Sequence, residues 1–224
     1  MGGCDCDGQN QGVNYAAFVA ENTTLQRPSH VPELTLHLAD DALPLWQQTE
    51  AELEQSGLPP PFWAFAWAGG QALARYILDN PALVAGKSVL DVGAGSGIAA
   101  IAAVKAGASS VRANEVDAFA LAATALNSAA NGVSVDVIDG DLLDTDPVDQ
   151  VVIAGDIFYE RPLAERAIAF LRRAADRGAT ILIGDPKRTY LPHAALRQVV
   201  AYEISVHKAL EDGDVKRTAV WTLA

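Results

Sequence analysis

From Lys87 onward the chain alternates short β-rich runs with helical stretches, and this alternation restricts the fold more than any other feature. The predicted strands cover residues 88–92, 110–114, 133–138, 150–154 and 180–183. The predicted helices cover residues 97–106, 118–130 and 163–175. Strands that alternate with helices of this length form a parallel, doubly wound sheet with helices on its faces. The sequence therefore predicts an α/β fold.

The C-terminal segment departs from this alternation. Residues 199–210 and 215–223 are two extended runs joined by Glu211-Asp212-Gly213-Asp214, which predicts an antiparallel hairpin. Five parallel strands and this hairpin together make a mostly parallel, seven-stranded sheet of the Rossmann-like type.

Residues 1–60 lack the regular alternation of strands and helices, and we expect them to form an N-terminal extension or cap on a domain that covers residues 61–224. Residues 15–19 are amphipathic, and residues 34–38 alternate in polarity as a strand or part of an irregular cap does. A helix is predicted near 45–56, so the extension is expected to be mostly helical. Three consecutive prolines close it, since no helix continues through them.

The composition excludes several classes of partner. The formal net charge is -12 and the pI is about 4.6, so the surface lacks the basic face that nucleic acid binding needs. No uninterrupted apolar run approaches the roughly 18 residues of a membrane span. We therefore expect neither a nucleic acid nor a membrane partner. We expect a monomer.

The cysteines and the overall composition bear on the compartment. Cys4 and Cys6 stand too close in sequence for a structural disulfide, which indicates reduced thiols. The chain has no apolar signal-peptide core, and its abundance of Ala and its excess of Arg over Lys favour a bacterial source. These features predict a bacterial cytoplasmic protein.

A glycine-rich segment follows the first strand of the alternating region. Residues 89–97 read Val-Leu-Asp-Val-Gly-Ala-Gly-Ser-Gly, a buried strand that leads through a turn into a helix. Gly93, Gly95 and Gly97 allow positive φ and a close approach of the backbone to a ligand. Glu115 ends the next strand, where a carboxylate can accept both hydroxyls of a ribose. These features predict a nucleotide-type cofactor.

The spacing of this motif distinguishes two cofactors. A dinucleotide site has its third small residue at the position that Ile98 occupies here. Asp91, two residues before the first glycine, would repel a pyrophosphate but suits the cationic amino-acid part of S-adenosylmethionine. The pattern therefore disfavours a nicotinamide-dependent oxidoreductase and favours S-adenosylmethionine.

Residues 62–224 resemble the class I, seven-β-strand S-adenosylmethionine-dependent methyltransferases. The resemblance implies that Asp91, Gly93, Gly95 and Gly97 lie under the methionine part of the cofactor. It also implies that Glu115 binds the ribose, that Val116 packs beside the adenine, and that Asp141-Leu142 meets the adenine amino group. A structural role for Asp141, as a helix or turn cap, stays open. S-adenosylhomocysteine would be the product, and no metal is expected.

The acceptor is predicted from the end of the fourth strand, Gly155-Asp156-Ile157-Phe158-Tyr159-Glu160. It lacks the Pro-Pro-aromatic step of methyltransferases that act on amide or adenine nitrogens. Asp156-x-x-Tyr159 is similar to the acid-x-x-aromatic motif of a family of protein lysine methyltransferases. The resemblance implies catalytic roles for Asp156 and Tyr159, with Asp156 also at the cofactor and Phe158 or Tyr159 facing the cationic product. Alternatively, Asp156 caps the helix near Pro162 and Tyr159 is a packing residue.

An aromatic cluster lies at the start of the domain. Phe62, Trp63 and Trp67 are candidates for substrate or cofactor contact, although the spacing of the two tryptophans on one helical face is equally typical of a core. Gly69 and Gly70 open a helix, where backbone N–H groups can meet the carboxylate of the cofactor.

Three segments agree with one subfamily. The Pro-Phe-Trp and Trp-x-Gly-Gly-Gln steps, with Gly184-Asp185-Pro186-x-Arg188, resemble methyltransferases that modify lysines in the β-subunit of electron transfer flavoprotein. The resemblance implies this β-subunit as the protein partner. A ribosomal protein or small-molecule acceptor, and a non-catalytic binder of S-adenosylmethionine, stay open. For Lys187-Arg188 we favour a solvated loop over contact with a partner, and the four histidines have no metal-ligand spacing.

Overall fold

The computed structural model describes residues 14–39, 60–206 and 214–224. Five α-helices lie in these ranges: α1 Tyr15–Glu21, α2 Ala68–Asp79, α3 Ile98–Lys105, α4 Ala118–Ala130 and α5 Arg161–Asp176. The strands of the same ranges are β1 Thr24–Gln26, β2 Leu36–Leu38, β3 Ser88–Val92, β4 Ser110–Glu115, β5 Asp136–Asp139, β6 Val151–Gly155, β7 Thr180–Asp185, β8 Leu196–Ser205 and β9 Val215–Leu223. Short 3-10 helices cover Phe62–Ala64, Pro81–Leu83 and His193–Ala195.

Seven strands form one sheet in the order β5-β4-β3-β6-β7-β9-β8. The first five run parallel, and the β8–β9 hairpin adds two antiparallel strands through the pairing of β9 with β7. The predicted fold, including the C-terminal hairpin, is confirmed. The chain reverses its direction of winding between β3 and β6, and such a switch point opens a crevice at the carboxyl ends of parallel strands.

Most predicted boundaries lie within two residues of the observed ones. β5 starts at Asp136 rather than at residue 133, because α4 ends in a turn in which Gly132 has a φ of 64° and Val133 donates to the carbonyl of Ser128. β8 starts at Leu196, and its pairing with β9 is irregular between Gln198 and Val200.

Both faces of the sheet are covered by helices. On one face α5 packs against the alternate side chains Leu90, Val152 and Ile183. On the other face α2 and α3 pack against Val89 and Ile153, among others. Strands buried on both faces explain why the predicted runs are almost continuously apolar.

The backbone of α2 lies very close to the backbone of β7 where the helix crosses the sheet. A Cβ added to Gly69 would collide with the backbone of Gly184 in β7, and a Cβ added to Gly184 would collide with the carbonyl of Gly69. Only glycines permit this crossing, which brings the first turn of α2 to the carboxyl end of β6.

The described part of the N-terminal extension holds a short helix and a two-stranded hairpin. α1 confirms the amphipathic segment, and β2 confirms the alternating run as a strand. The predicted helix near 45–56 lies outside the described residues. β1 and β2 pair in antiparallel fashion, and the residues of this segment pack against α3 and α4.

Polar side chains of α4 fasten this hairpin. Asn131 accepts from the N–H of Thr35 at 3.1 Å and donates to its carbonyl at 2.6 Å. Asn127 accepts from the N–H of His37 at 2.6 Å and donates to the carbonyl of Ser96 at 2.8 Å. Asn127 therefore joins the hairpin to the glycine-rich loop. No helix of the described ranges has the length and apolar character of a membrane span.

Candidate active site

A cavity of about 420 Å³ opens at the carboxyl ends of β3, β4 and β6. This is the switch point of the sheet, and the volume is typical of a site for a small molecule. The predicted residues that line it are Phe62, Trp63, Trp67, Gly93, Gly95, Glu115, Val116, Asp141, Asp156 and Tyr159. Most of the residues singled out from sequence therefore come together around one cavity.

The glycine-rich loop forms the floor between β3 and α3. Gly93, Gly95 and Gly97 have φ angles of 65°, 54° and 75°, a left-handed conformation that favours glycine. The N–H groups of Gly93 and Ala94 donate to the backbone carbonyl of Asn114. Gly97 is the N-cap of α3, and a Cβ added to it would collide with Thr124, so its role is to shape the loop and not to line the cavity.

Glu115 lies at the end of β4 with its carboxylate held in place. Oε2 accepts from the N–H of Gly95 at 3.0 Å, and Oε1 accepts from the N–H of Val116 at 2.8 Å. Each carboxylate oxygen has a further acceptor direction. The carboxylate is thus oriented beside the cavity and still able to accept from ligand hydroxyls.

The sequence predicted that Asp91 contacts the cofactor, but Asp91 does not line the cavity. It is buried under the loop, where Oδ2 accepts from the N–H of Ala100 at 2.9 Å in the first turn of α3. Burial, with a smaller effect of Glu115, raises the pKa of Asp91 to about 7. Its carboxylate therefore fixes the glycine-rich loop to α3.

The segment after β5 supplies Asp141 and Leu143. Asp141 lines the cavity, accepts from the N–H of Leu143 at 2.9 Å and pairs with Arg166 at 2.8 Å. The hydrogen bonds from Arg166 are the main reason that the pKa of Asp141 is lowered. Asp141 is therefore a turn cap that also borders the cavity. Leu142 packs towards the core, and it is Leu143 that lines the cavity.

Gly69 and Gly70 lie behind the cavity wall. The close crossing of α2 and β7 explains why Gly69 is a glycine. The N–H of Gly70 donates to Oδ2 of Asp156 at 3.0 Å. The sequence predicted that N–H groups at this helix start bind the carboxylate of a cofactor. In the structure the N–H of Gly70 binds a carboxylate of the protein instead.

Asp156 is bound from two sides. Oδ1 accepts from Nε and Nη2 of Arg188 at 3.1 and 2.7 Å, and Oδ2 accepts from Gly70. The guanidinium of Arg188 also lies over the ring of Trp67, 5.3 Å from its centroid. Asp156, Trp67 and Arg188 all line the cavity, so an ion pair with an aromatic backing forms part of its wall.

Asp185 lies directly behind this pair. It is fully buried, and Oδ1 accepts from the backbone N–H of Arg188 at 2.7 Å, while Oδ2 has no hydrogen-bond partner among the described residues. Burial, followed by repulsion from Asp156, raises the pKa of Asp185 to about 7. The carboxyl that anchors the Arg188 loop therefore changes its protonation state near neutral pH.

Two exposed aromatic rings form the mouth of the cavity. Phe62 and Tyr159 are 40% and 42% exposed, and their ring centroids are 5.6 Å apart. Phe62 also contacts Trp67, whose Nε1 donates to the carbonyl of Phe62 at 2.8 Å. Burial, then the charges of Glu160 and Glu115, raises the pKa of Tyr159, so its hydroxyl stays protonated and able to donate.

Two other predicted aromatic contacts differ in the structure. Phe158 is fully buried in the core on the α5 side and does not line the cavity, so Tyr159 is the aromatic residue of this motif that faces it. Trp63 lines the cavity but is 1% exposed and stacks on Phe119. Trp63 and Trp67 do not share a helical face, because Phe65 between them is extended.

Sequence reasoning missed several lining residues, chiefly Asn114, Asp117, Leu143, Ile157, Leu163 and Arg188. Asp117 could have been found from the sequence, because an Asp directly before a predicted helix is a typical N-cap, and here it accepts from the N–H of Phe119. Arg188 was assigned to a solvated loop, whereas it lies against Asp156. In the described parts of the chain, no group of three or more His, Cys, Asp or Glu side chains is arranged to hold a metal ion.

Comparison with known proteins identifies the family. Residues 72–184, half of the chain, match the family model of ribosomal protein L11 methyltransferase (PrmA). The electron transfer flavoprotein beta subunit lysine methyltransferase of Mus musculus is 37% identical over 216 residues, covering 92% of this chain and 82% of the mouse protein. Its homolog in Caenorhabditis elegans is 36% identical over 194 residues, covering 79% and 78%.

The chain belongs to the electron transfer flavoprotein beta subunit lysine methyltransferase family. It is a protein-lysine N-methyltransferase, and its predicted membership is confirmed. The named relatives are animal proteins and give no support to the bacterial origin that composition suggested.

The fold of this methyltransferase is also seen in solved structures. The magnesium protoporphyrin IX methyltransferase of Synechocystis, solved with S-adenosylmethionine bound, has a TM-score of 0.50 and 17% identity, over 69% of this chain and 78% of that protein. The residues of the cavity fit the same cofactor. A backbone cradle of glycines, a fixed carboxylate at Glu115 and a border of Val116 suit the amino acid, the ribose and the adenine of this cofactor.

Proposed function

We propose that this lysine methyltransferase uses S-adenosylmethionine to methylate lysine in the β-subunit of electron transfer flavoprotein. The relatives that cover most of its length carry this acceptor in their names. The observation that supports it within the chain is the grouping of Asp156, Tyr159 and Phe62 at one cavity that also contains the glycine loop and Glu115.

Each of these residues has a role in the proposal. The glycine loop, Glu115 and Val116 hold the cofactor, and Asp141 borders its adenine. S-adenosylmethionine, when bound, supplies an electrophilic methyl group. Phe62 and Tyr159 flank the lysine side chain, and the Tyr159 hydroxyl and Asp156 orient its nitrogen. Aromatic rings accommodate both the alkyl stem of lysine and the cationic product.

Rate enhancement in this mechanism comes mainly from holding nitrogen and methyl in line at contact distance. The amine must lose a proton before attack, because the unperturbed pKa of lysine is about 10.4. Moving the lysine amine from water into the aromatic mouth favours the loss of its proton, since burial disfavours the charged form. Asp156 is assigned to positioning, because a carboxylate beside an ammonium opposes its deprotonation.

The acceptor is tested by methyl transfer from labelled S-adenosylmethionine to purified electron transfer flavoprotein and, separately, to a cell extract. A labelled β-subunit that is lost with Asp156→Ala is the expected result. Label on another protein would retain lysine methylation and reject this acceptor. Binding of S-adenosylhomocysteine to Asp156→Ala, expected within a few-fold of the parent, shows that the variant is folded.

A further inference from the structure

We infer that Arg188 is a positioning residue that neutralises Asp156 and so favours the uncharged form of the acceptor lysine. The inference rests on the proposed function. It addresses how a site with a carboxylate at the acceptor position can use an amine that is protonated in water. Three contacts support it: the guanidinium of Arg188 donates to Asp156, the ring of Trp67 lies against the guanidinium, and the buried carboxyl of Asp185 anchors the loop.

The contact geometry offsets the negative charge of Asp156. Both Nε and Nη2 of Arg188 donate to Oδ1, at 3.1 and 2.7 Å, and the N–H of Gly70 donates to Oδ2 at 3.0 Å. Such charge-assisted bonds are stronger than neutral ones. The side chains of Arg188 and Asp156 are 20% and 11% exposed, so water screens the pair weakly.

The position of Arg188 is fixed from three directions. Asp156 holds the guanidinium edge, the ring of Trp67 lies against its face, and Asp185 accepts from its backbone N–H at 2.7 Å. Lys187, immediately before it, has a φ of 71° and is exposed, so the loop turns sharply to bring Arg188 inwards. An arginine built in this way is part of the wall and not a surface charge.

The remaining ionisable groups of the cavity do not supply the same effect. Glu115 is held by two backbone amides, Asp117 caps α4, and Asp141 pairs with Arg166. Tyr159 carries no charge in its protonated form. Among the described lining residues, Arg188 is the one cation, and a nearby positive charge lowers the pKa of an amine, because like charges disfavour its protonated form.

The chemical step balances without a further reactant. The lysine ammonium releases its proton to water and becomes a neutral amine. The amine nitrogen then forms a bond to the methyl carbon as the sulfur–methyl bond breaks and its electron pair returns to sulfur. Arg188 touches none of these atoms in the inference; it acts through Asp156 by removing the net negative charge that would retain the proton.

The test is the pH dependence of methyl transfer by Arg188→Gln, with Lys187→Gln as the matched control. Both variants remove one positive charge from the same loop, but Lys187 does not line the cavity. For Arg188→Gln the acid limb of the kcat profile should move to higher pH by about one unit, so that kcat falls about tenfold near pH 7.5 and recovers near pH 9.5. The KM of the acceptor should not rise, because the bare carboxylate binds the ammonium at least as well.

Two further variants complete the design. Arg188→Lys retains a charge and should retain most of the parent profile. Arg188→Met keeps an apolar stem against Trp67 and, as a second neutral side chain, should repeat the shift of Arg188→Gln. A loss of equal size at every pH in the folded neutral variants, with S-adenosylhomocysteine affinity unchanged, would overturn the inference. Absence of transfer by the parent enzyme even at pH 9.5 would instead reject the proposed acceptor.

Discussion

Asp156 has a backbone conformation that few side chains accept. Its φ is 56°, in the left-handed region, where Asp and Asn are the best tolerated residues after glycine. The conformation turns the carboxylate back towards α2 and Arg188. Because Asn has nearly the same shape and the same backbone tolerance, substitution by Asn separates the charge of Asp156 from its geometry.

Asp156→Asn should fold and bind S-adenosylhomocysteine within a few-fold of the parent, yet transfer methyl groups about 100-fold more slowly. The amide lacks the charge of the carboxylate that orients the acceptor nitrogen, so nitrogen and methyl are held in line less often. Single-turnover transfer and calorimetric titration measure the two quantities. Parental turnover in this variant would remove the charge of Asp156 from the mechanism.

Tyr159 contributes a ring and a hydroxyl, which two substitutions distinguish. Tyr159→Phe keeps the contact with Phe62 and should lower kcat/KM about fivefold, the value of one neutral hydrogen bond of about 1 kcal/mol. Tyr159→Ala also removes the ring and should cost at least a further tenfold, mainly through the KM of the acceptor. If both variants were equally impaired, the hydroxyl would account for the whole effect.

At the residue scale, motif spacing located the cavity but not the direction in which each side chain points. Glu115 and Asp156 could be identified because Glu115 ends β4 and Asp156 directly follows β6, and the carboxyl ends of both strands meet at the cavity. Asp91 ends in the core because α3 begins directly above it and uses its carboxylate. Arg188 could not be assigned, since a basic residue in a loop after a strand has the same sequence signature whether it is solvated or paired.

Asn127 on α4 and Asn131, the C-cap of α4, hydrogen-bond to the backbone of His37 in β2 and of Thr35 just before it. Both use side-chain amides, but Asn127 also donates to Ser96 in the glycine-rich loop, whereas Asn131 does not reach that loop. The helix therefore transmits the position of the N-terminal hairpin to the cofactor loop.

Asn127→Ala and Asn131→Ala form a matched pair. Each should lower the free energy of unfolding by about 1–3 kcal/mol, because buried backbone groups lose their partners. Only Asn127→Ala should also weaken the binding of S-adenosylhomocysteine, by several-fold, because the glycine-rich loop loses the hydrogen bond from Asn127. Chemical denaturation and calorimetry give the two values. Equal cofactor affinity in both variants would contradict the proposed link.

The crossing of α2 over the sheet predicts a graded response to added methyl groups. Gly184→Ala places a Cβ against the carbonyl of Gly69, while Gly155→Ala meets the backbone of Gly70 at 3.2 Å and needs only a small adjustment. Gly184→Ala should therefore lower the free energy of unfolding by at least about 1–3 kcal/mol, and Gly155→Ala should lower it by less. Denaturation midpoints test the order. A larger loss in Gly155→Ala would show that α2 can move away from β7.

At the element scale, periodicity was sufficient for most helices and strands of residues 87–224. Strands β3 and β9 and helix α4 have the predicted bounds, because their apolar runs end at glycines, asparagines or charged turns. The segment around Trp63 was harder. Spacing alone suggested a helical face, but the chain turns through a 3-10 helix and an extended Phe65 before α2 begins.

For the molecule as a whole, buried acids predict a pH-dependent stability. Burial raises the pKa of Asp185 to about 7 from an ordinary value of 3.8, so the folded state retains a proton that the unfolded state releases. Its contribution to stability is complete below about pH 4, is lost as the pH rises to about 7, and changes little above that. Asp91 follows the same direction.

Asp185→Asn isolates this effect. Relative to the parent, the variant should gain about 1–3 kcal/mol of unfolding free energy as the pH rises from 5 to 7. His30, whose pKa is lowered by burial, contributes equally to both proteins and cancels. Urea denaturation at pH 5, 6, 7 and 8 provides the curve. A difference that does not depend on pH would mean that Asp185 is ionised throughout.

The global fold was predictable from sequence because parallel α/β topology follows from the order of elements, which the apolar pattern records. The placement of the N-terminal segment was not, since its contacts with α3 and α4 depend on amide side chains and on residues distant in the chain. Local patterns contain no information about such partners.

The fastening of the first hairpin by α4 has a consequence for how the protein is made. Thr35 and its partner Asn131 are 96 residues apart, and His37 and Asn127 are 90 apart. During synthesis the N-terminal segment therefore leaves the ribosome long before its docking surface exists. It can join the folded domain only after residue 131 has emerged, so the cofactor loop reaches its final support late in translation.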